Sequence, residues 1–315
     1  MFLSFITSSK WRNKGHKNMK QITLEELLEA GCHFGHQVTR SNPKARDFVF
    51  ESRDNIQIID LAKTKQGLDE AAEYVKDLGQ KGGKLIVVGT KKQAKQIVEE
   101  EVARVRELLK TEATANGESL YYVTQRWIGG ILTNFSEVSK NFKKLSDLKE
   151  KLVNDEEKAN FTKKEIGLWD KEKQRLESFY KGIATIKQKP DALFIIDSHW
   201  ENLAVREALV TNVPTVAIVD TNADPYVIDY PIPANDDAVG SIKLIVSYIL
   251  DAFAEGVKSQ KKEPEQKVKE GKVTVELSSK EKEVEKKGPA KKSQKTSKVK
   301  KVETKIKKTK KIAKK

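Results

Sequence analysis

The chain has 315 residues, 37% of them hydrophobic, which allows one large domain or two with an ordinary buried core. Lys and Arg outnumber Asp and Glu by 60 to 46, but residues 1–20 carry five basic side chains and no acid, and residues 258–315 carry 23 Lys against eight Glu. Residues 21–257 are left with 32 basic and 38 acidic side chains, so the overall charge of +14 does not mark the body as a nucleic-acid binder, and any such claim rests on local patches.

A single cysteine, Cys32, excludes an intrachain disulfide and fits a reducing compartment, and no apolar run approaches the roughly 18–20 residues of a membrane span, so the chain is read as cytoplasmic. The first residues, MFLSFIT, are too short for a signal-peptide core, and their positive charges follow rather than precede them. The basic, acid-free stretch 1–20 reads either as an organellar address or as translation from upstream of a true start at Met19.

Taken in chain order, Thr23 with Glu26 three residues later has capping-box spacing, and Leu24, Leu27 and Leu28 form the apolar stripe of a short helix ending at Gly31. Phe48–Phe50 and Ile56–Ile59 look like a hairpin across ESRDN. A helix over 63–81 closes at Gly82 and Gly83, and LIVVG (85–89) is a continuous apolar run of the kind buried in a parallel sheet. A long helix over about 92–110 and a strand LYYV (120–123) follow. Later come a strand ALFII (192–196), a helix near 201–210, a strand TVAIV (215–219) and a closing helix over about 238–254. Strand and helix alternate, which predicts an α/β fold with a doubly wound parallel sheet.

An insertion divides the pattern into 21–133 and 190–257. Over 134–189, Val138, Phe142, Leu145 and Leu152 mark a coiled-coil seam, and Ile166, Trp169, Leu176, Phe179 and Ile183 mark a second helix after the polar break NDEEKANFT. Two antiparallel helices projecting from the sheet fit these spacings, and with 14 basic and 10 acidic residues the insertion is locally basic. From 258 onward only scattered Val, Ile and Leu stand among Lys, Glu, Ser and Gly, which is too little apolar surface to offset chain entropy; a disordered Lys-rich tail is expected.

Candidate chemistry is sparse. In QRWIGGILTNF (125–135), Arg126 and Trp127 suit a surface that grips phosphate and stacks on a ring, while the same residues also describe a helix start with a buried Trp and a tight Gly-Gly turn. GTKKQ (89–93) lies between a core strand and a helix, where backbone amides with Lys91 or Lys92 could hold an anion, but it has neither GxGxxG nor GxxxxGK[ST] spacing. Cys32, His33 and His36, with Asp47 or Asp54, have possible metal-ligand spacing but no second paired cluster, so structural roles are preferred. Asp220, Asp224, Asp229, Asp236 and Asp237 follow the strand TVAIV without a matching His, Lys or nucleophile in a recognisable frame, and are read as turn formers. His199 and Trp200 indicate a helix start and nothing more.

EAGCHFGHQVTRSNPKARDFVF, IQIIDLAKT, KLIVVGTKKQA, YVTQRWIGGILTNF, FTKKEIGL, PDALFIIDS, VPTVAIVDTNADP and IPANDDAVGSIKLI occur in this order from about Ile22 to Gly256. Together they resemble bacterial small-subunit ribosomal protein two. The resemblance implies a five-stranded parallel flavodoxin-like sheet with a coiled-coil hairpin inserted after the third strand. It also implies a non-enzymatic role: binding 16S rRNA between the head and body of the small subunit, beside other ribosomal proteins, and helping to dock the large mRNA-binding ribosomal protein one. No cofactor or metal is implied. By motif, Arg40, Lys44, Arg46, Lys91, Lys92, Arg126, Lys143, Lys144, Lys163 and Lys164 match basic family positions and are expected to contact phosphate. SHWEN (198–202) replaces a more usual charged turn, Cys32 occupies a usually apolar position, and residues 1–18 and the tail fall outside the resemblance. The competing reading is an α/β nucleotide-binding enzyme that uses the Gly89–Gln93 turn.

Overall fold

The structure is a computed structural model that describes residues 22–111, 119–154 and 161–260. The N-terminal extension and residues 261–315 of the expected disordered tail lie outside the described residues.

Chain order begins with helix α1 (Leu24–Glu29), strand β1 (Phe34–Gln37), two 3-10 turns (Val38–Arg40 and Pro43–Phe48), β2 (Val49–Arg53), β3 (Ile56–Ile59) and α2 (Leu61–Gln80). Thr23 and Glu26 form the reciprocal capping box that their spacing predicts. The β2–β3 hairpin turns through Asp54 (φ 51°) and Asn55 (φ 62°), the pair of left-handed residues that a two-residue hairpin of matching twist requires. β1 pairs antiparallel with β3, making a three-stranded sheet in the order β1-β3-β2. β1 leaves no signal in the sequence, because FGHQ offers neither alternation nor an apolar run.

The main sheet follows: β4 (Leu85–Val88), α3 (Lys92–Thr111), β5 (Leu120–Val123), α4 (Phe135–Val153), α5 (Lys163–Tyr180), β6 (Ala192–Ile196), α6 (Asn202–Thr211), β7 (Thr215–Val219), β8 (Tyr230–Pro233) and α7 (Val239–Gln260). Its five strands are all parallel in the order β5-β4-β6-β7-β8, the strand order of a flavodoxin-like doubly wound fold. β4, β6 and β7 are buried along their whole length, which explains their unbroken apolar sequences. β8 was not expected from YPIP. It lies at the sheet edge, the position in which a strand tolerates proline, since one row of backbone N–H groups has no ladder to serve.

Alternate residues of each strand feed two cores. Leu85, Val87, Phe194, Ile196, Val216 and Ile218 pack with α2, α3 and α7 on one face. Ile86, Val88, Leu193, Ile195, Ala217 and Val219 pack on the other with α6, Trp127, Ile131 and the base of α4. α2 and α7 approach so closely that a Cβ at Gly256 would stand 2.1 Å from the Lys76 carbonyl oxygen. Val257 is buried, and α7 continues to Gln260, so the expected tail boundary at 258 falls inside this helix.

α4 and α5 pack antiparallel: Asn141 Nδ2 donates to Tyr180 Oη at one end (3.0 Å), and the Lys151 ammonium stands over the Trp169 ring at the other. Val138, Phe142, Leu145 and Leu148 form the buried stripe of α4. The pair follows β5, the second strand of the parallel sheet, and not the third as the resemblance implied. β5 is an edge strand, so the chain can leave the sheet there without crossing a neighbour.

Candidate nucleic-acid interface

The expected phosphate-contact residues fall into three places. Arg40, Lys44 and Arg46 are exposed on the 3-10 turns between β1 and β2. Lys44 Nζ pairs with Asp224 at 2.5 Å, which ties this segment to the turn after β7. Lys92 and Arg126 are exposed beyond the C-terminal ends of β4 and β5, adjacent strands, and Lys95 Nζ bridges the two segments by donating to Gln125 Oε1 (3.1 Å). Lys143 and Lys144 are exposed on α4, and Lys163 and Lys164 on the first turn of α5, behind a Thr162–Glu165 capping box. Lys144 forms an exposed ion pair with Glu172 across the helix pair.

Lys91 is different. Its side chain is only 19% exposed, and its ammonium lies 2.6 Å from Asp237, 2.8 Å from Asp236 and 3.1 Å from Asp197. Burial works against its charge, but the hydrogen bonds and charges of Asp236 and Asp237, with Asp197, outweigh it and hold the pKa above the usual lysine value. An ammonium committed to three carboxylates is poorly placed to meet a phosphate, which sets Lys91 apart from the other nine residues.

The same carboxylates correct the reading of the aspartate cluster. Asp224 caps the turn Pro225–Val227, as a turn former does, whereas Asp229 accepts from the Thr215 backbone and ties the start of β7 to that of β8. Asp220, Asp236 and Asp237 instead converge with partners from distant segments: His36 Nδ1 lies 3.1 Å from Asp220 and His36 Nε2 3.6 Å from Asp237, while Lys91 arrives from the β4–α3 turn. The hydrogen bond to Asp220 chiefly raises the His36 pKa, against its burial. Asp236, fully buried beside Asp197 and Asp220, has its pKa raised by desolvation and by those neighbours to about 7. Sequence spacing could not reveal this group, since its members run from His36 to Asp237.

Of the residues considered for metal binding, Cys32 is buried in the core, where desolvation raises its thiol pKa. His36 joins Asp236 and Asp237, whose ligand atoms lie within 4.8 Å of one another, so these three could hold a cation. A cation there would share its carboxylates with Lys91. The cluster occupies the C-terminal ends of β4, β6, β7 and β8, the region where open α/β sheets receive nucleotides. Carboxylates in excess of cations would repel a phosphate there.

The QRWIGGILTNF segment is organised by a residue that the sequence reading did not single out. Glu207 on α6, 6% exposed, accepts from the backbone N–H of Gly130 (2.7 Å), Leu132 (3.1 Å) and Thr133 (3.4 Å), from Thr133 Oγ1 (3.3 Å) and from Trp127 Nε1 (3.4 Å). Gly130 holds φ 99°, which a side chain would resist, so the turn can present these donors to one carboxylate. Trp127 is buried, and Arg126 projects to solvent one residue earlier. The two halves of the motif therefore divide: Trp127 and the Gly pair build the joint from which α4 departs, and Arg126 faces outward.

A family model described as Ribosomal protein S2 matches residues 27–256. The chain belongs to the ribosomal protein S2 family. Its members are structural proteins of the small ribosomal subunit, associated with rRNA and with other ribosomal proteins. The match runs through the three-stranded sheet, the main sheet, the helix pair and most of α7. No helix among the described residues is long and apolar enough to cross a membrane.

Proposed function

We propose that this member of the ribosomal protein S2 family binds 16S rRNA between the head and body of the small subunit, in the cytoplasm, and helps dock the large mRNA-binding ribosomal protein one. What supports the reading is the family match together with nine exposed cations at the expected positions on a body of net negative charge. RNA contact is then confined to patches: Arg40, Lys44 and Arg46; Lys92 and Arg126; and Lys143, Lys144, Lys163 and Lys164. The exposed pairs of Lys44 and Lys144 hold each lysine by only about 0–1 kcal/mol, so a phosphate can compete for them. Lys91 is left out of the contact set because extracting it would strand buried carboxylates.

In this reading α4 and α5 form a coiled-coil hairpin over 134–189 that carries one basic patch away from the sheet. The aspartate-rich sheet end weighs against the nucleotide-binding alternative. Sedimentation of tagged protein with small subunits at moderate salt tests the proposal. Co-migration is expected; protein that stays at the top of the gradient while binding a nucleotide would sink it.

A further inference from the structure

Trp200 is 72% exposed in the turn between β6 and α6. An indole has a large apolar surface that folding often covers, so this degree of exposure leaves a broad π face open to a partner. The turn beneath it is tied by hydrogen bonds. Trp200 N donates to Asp197 Oδ1 at 2.9 Å, Asp197 is itself buried, and the neighbouring Glu201 is buried and accepts from Thr90 Oγ1 of the β4–α3 turn. One helical turn on, Leu203 is 48% exposed, and a Cβ at Gly129 would stand 3.6 Å from its Cδ2. The Arg126 loop, the β4–α3 turn and the start of α6 thus meet beside Trp200 in the chain, beyond the ends of the adjacent strands β5, β4 and β6.

The exposed charges on these three segments share one sign. The side chains of Lys92, Arg126 and Arg206 are exposed and make no hydrogen bond or ion pair among the described residues, while the three acids of this turn and helix, Asp197, Glu201 and Glu207, are buried. A protein partner would have to bring three counter-charges to cover so small an apolar patch. RNA supplies both components at once, a base with a π face and phosphates on either side. We propose that Trp200 stacks an unpaired RNA base, with Lys92, Arg126 and Arg206 taking the flanking phosphates. The inference rests on the rRNA-binding reading above and adds to it a contact that no basic family position specifies.

The test is binding of the full chain to a transcript of the small-subunit rRNA across a salt series, for wild type, Trp200→Ala, Trp200→Phe and Arg126→Ala. Trp200→Ala should weaken binding roughly 5- to 100-fold with the salt slope unchanged, Trp200→Phe should recover most of that loss, and Arg126→Ala should lower the slope by about one phosphate contact. Wild-type binding with unaltered Trp200→Ala affinity would overturn stacking and leave the rRNA reading intact. Equal losses in Trp200→Ala and Trp200→Phe would reduce the ring to a structural part, and would overturn stacking too. A Trp200→Ala protein that binds free rRNA normally but drops out of assembled subunits would reassign the surface to a protein partner. If the wild-type chain fails to bind the transcript, the rRNA reading and the stacking site fall together.

Discussion

At the residue scale, two neighbouring functions in one motif separate by burial. Arg126 is exposed and unpaired among the described residues, so Arg126→Ala should leave the thermal midpoint within about 1 °C while lowering incorporation into small subunits, measured by competitive reconstitution. Unchanged incorporation would return the whole motif to a purely structural role. Glu207 is the opposite case. Its carboxylate collects five donors in a buried setting, and Glu207→Ala would leave these groups without an acceptor. A loss of about 3 kcal/mol or more in urea unfolding is expected, and Glu207→Gln, which keeps the volume but points two N–H groups at other donors, should recover little of it. Arg126 was legible in the sequence because an Arg-Trp pair shortly before a Gly-Gly step stands out. Glu207 was not, since NLAVREALVT reads as an ordinary helix and nothing local says that its acid faces inward toward a loop 75 positions away.

At the element scale, continuous apolar runs announced β4, β6 and β7, and periodicity located α2, α3, α4, α5 and α7 to within a few residues except where α7 runs on to Gln260. β1 and β8 were invisible because their stability comes from neighbours. β1 is held by its pairing with β3, and β8 by its parallel pairing with β7, so local composition carries little of the signal. The contact between α2 and α7 is likewise a property of two elements. Gly79 and Gly256 let the helices close, with virtual Cβ atoms 2.6 Å from the Phe253 carbonyl oxygen and 2.1 Å from that of Lys76. Gly256→Ala should therefore force the helices apart and cost about 1–3 kcal/mol by overpacking, although alanine is the better helix former. Equal or higher stability in a denaturant titration would show that the helices separate at no cost.

For the whole molecule, charge is partitioned. A body of net negative charge lies between basic terminal stretches, so under the proposed function specific contact comes from patches and general attraction from the ends. Removing residues 261–315, which leaves α7 whole, should flatten the salt dependence of nonspecific RNA binding while specific subunit assembly persists. Loss of assembly in the truncated protein would refute that division. At the aspartate-lined sheet end, Asp197, Asp220, Asp236 and Asp237 are offset only in part by Lys91 and His36, so this end of the fold keeps an excess of carboxylates.

The sequence alone determined the α/β class, the interruption after LYYV and the family, because these depend on local periodicity, composition and an ordered set of motifs. The tertiary structure decided which charges are available. Lys91 and Lys92 are adjacent in GTKKQ, yet one is enclosed by three carboxylates and the other faces solvent. Trp127 and Trp200 are both aromatic residues beside turns, yet one is 3% and the other 72% exposed. Availability depends on which distant segments the folded chain brings alongside, and the energy of placing a charge or a ring is set by those neighbours rather than by its own position in the chain.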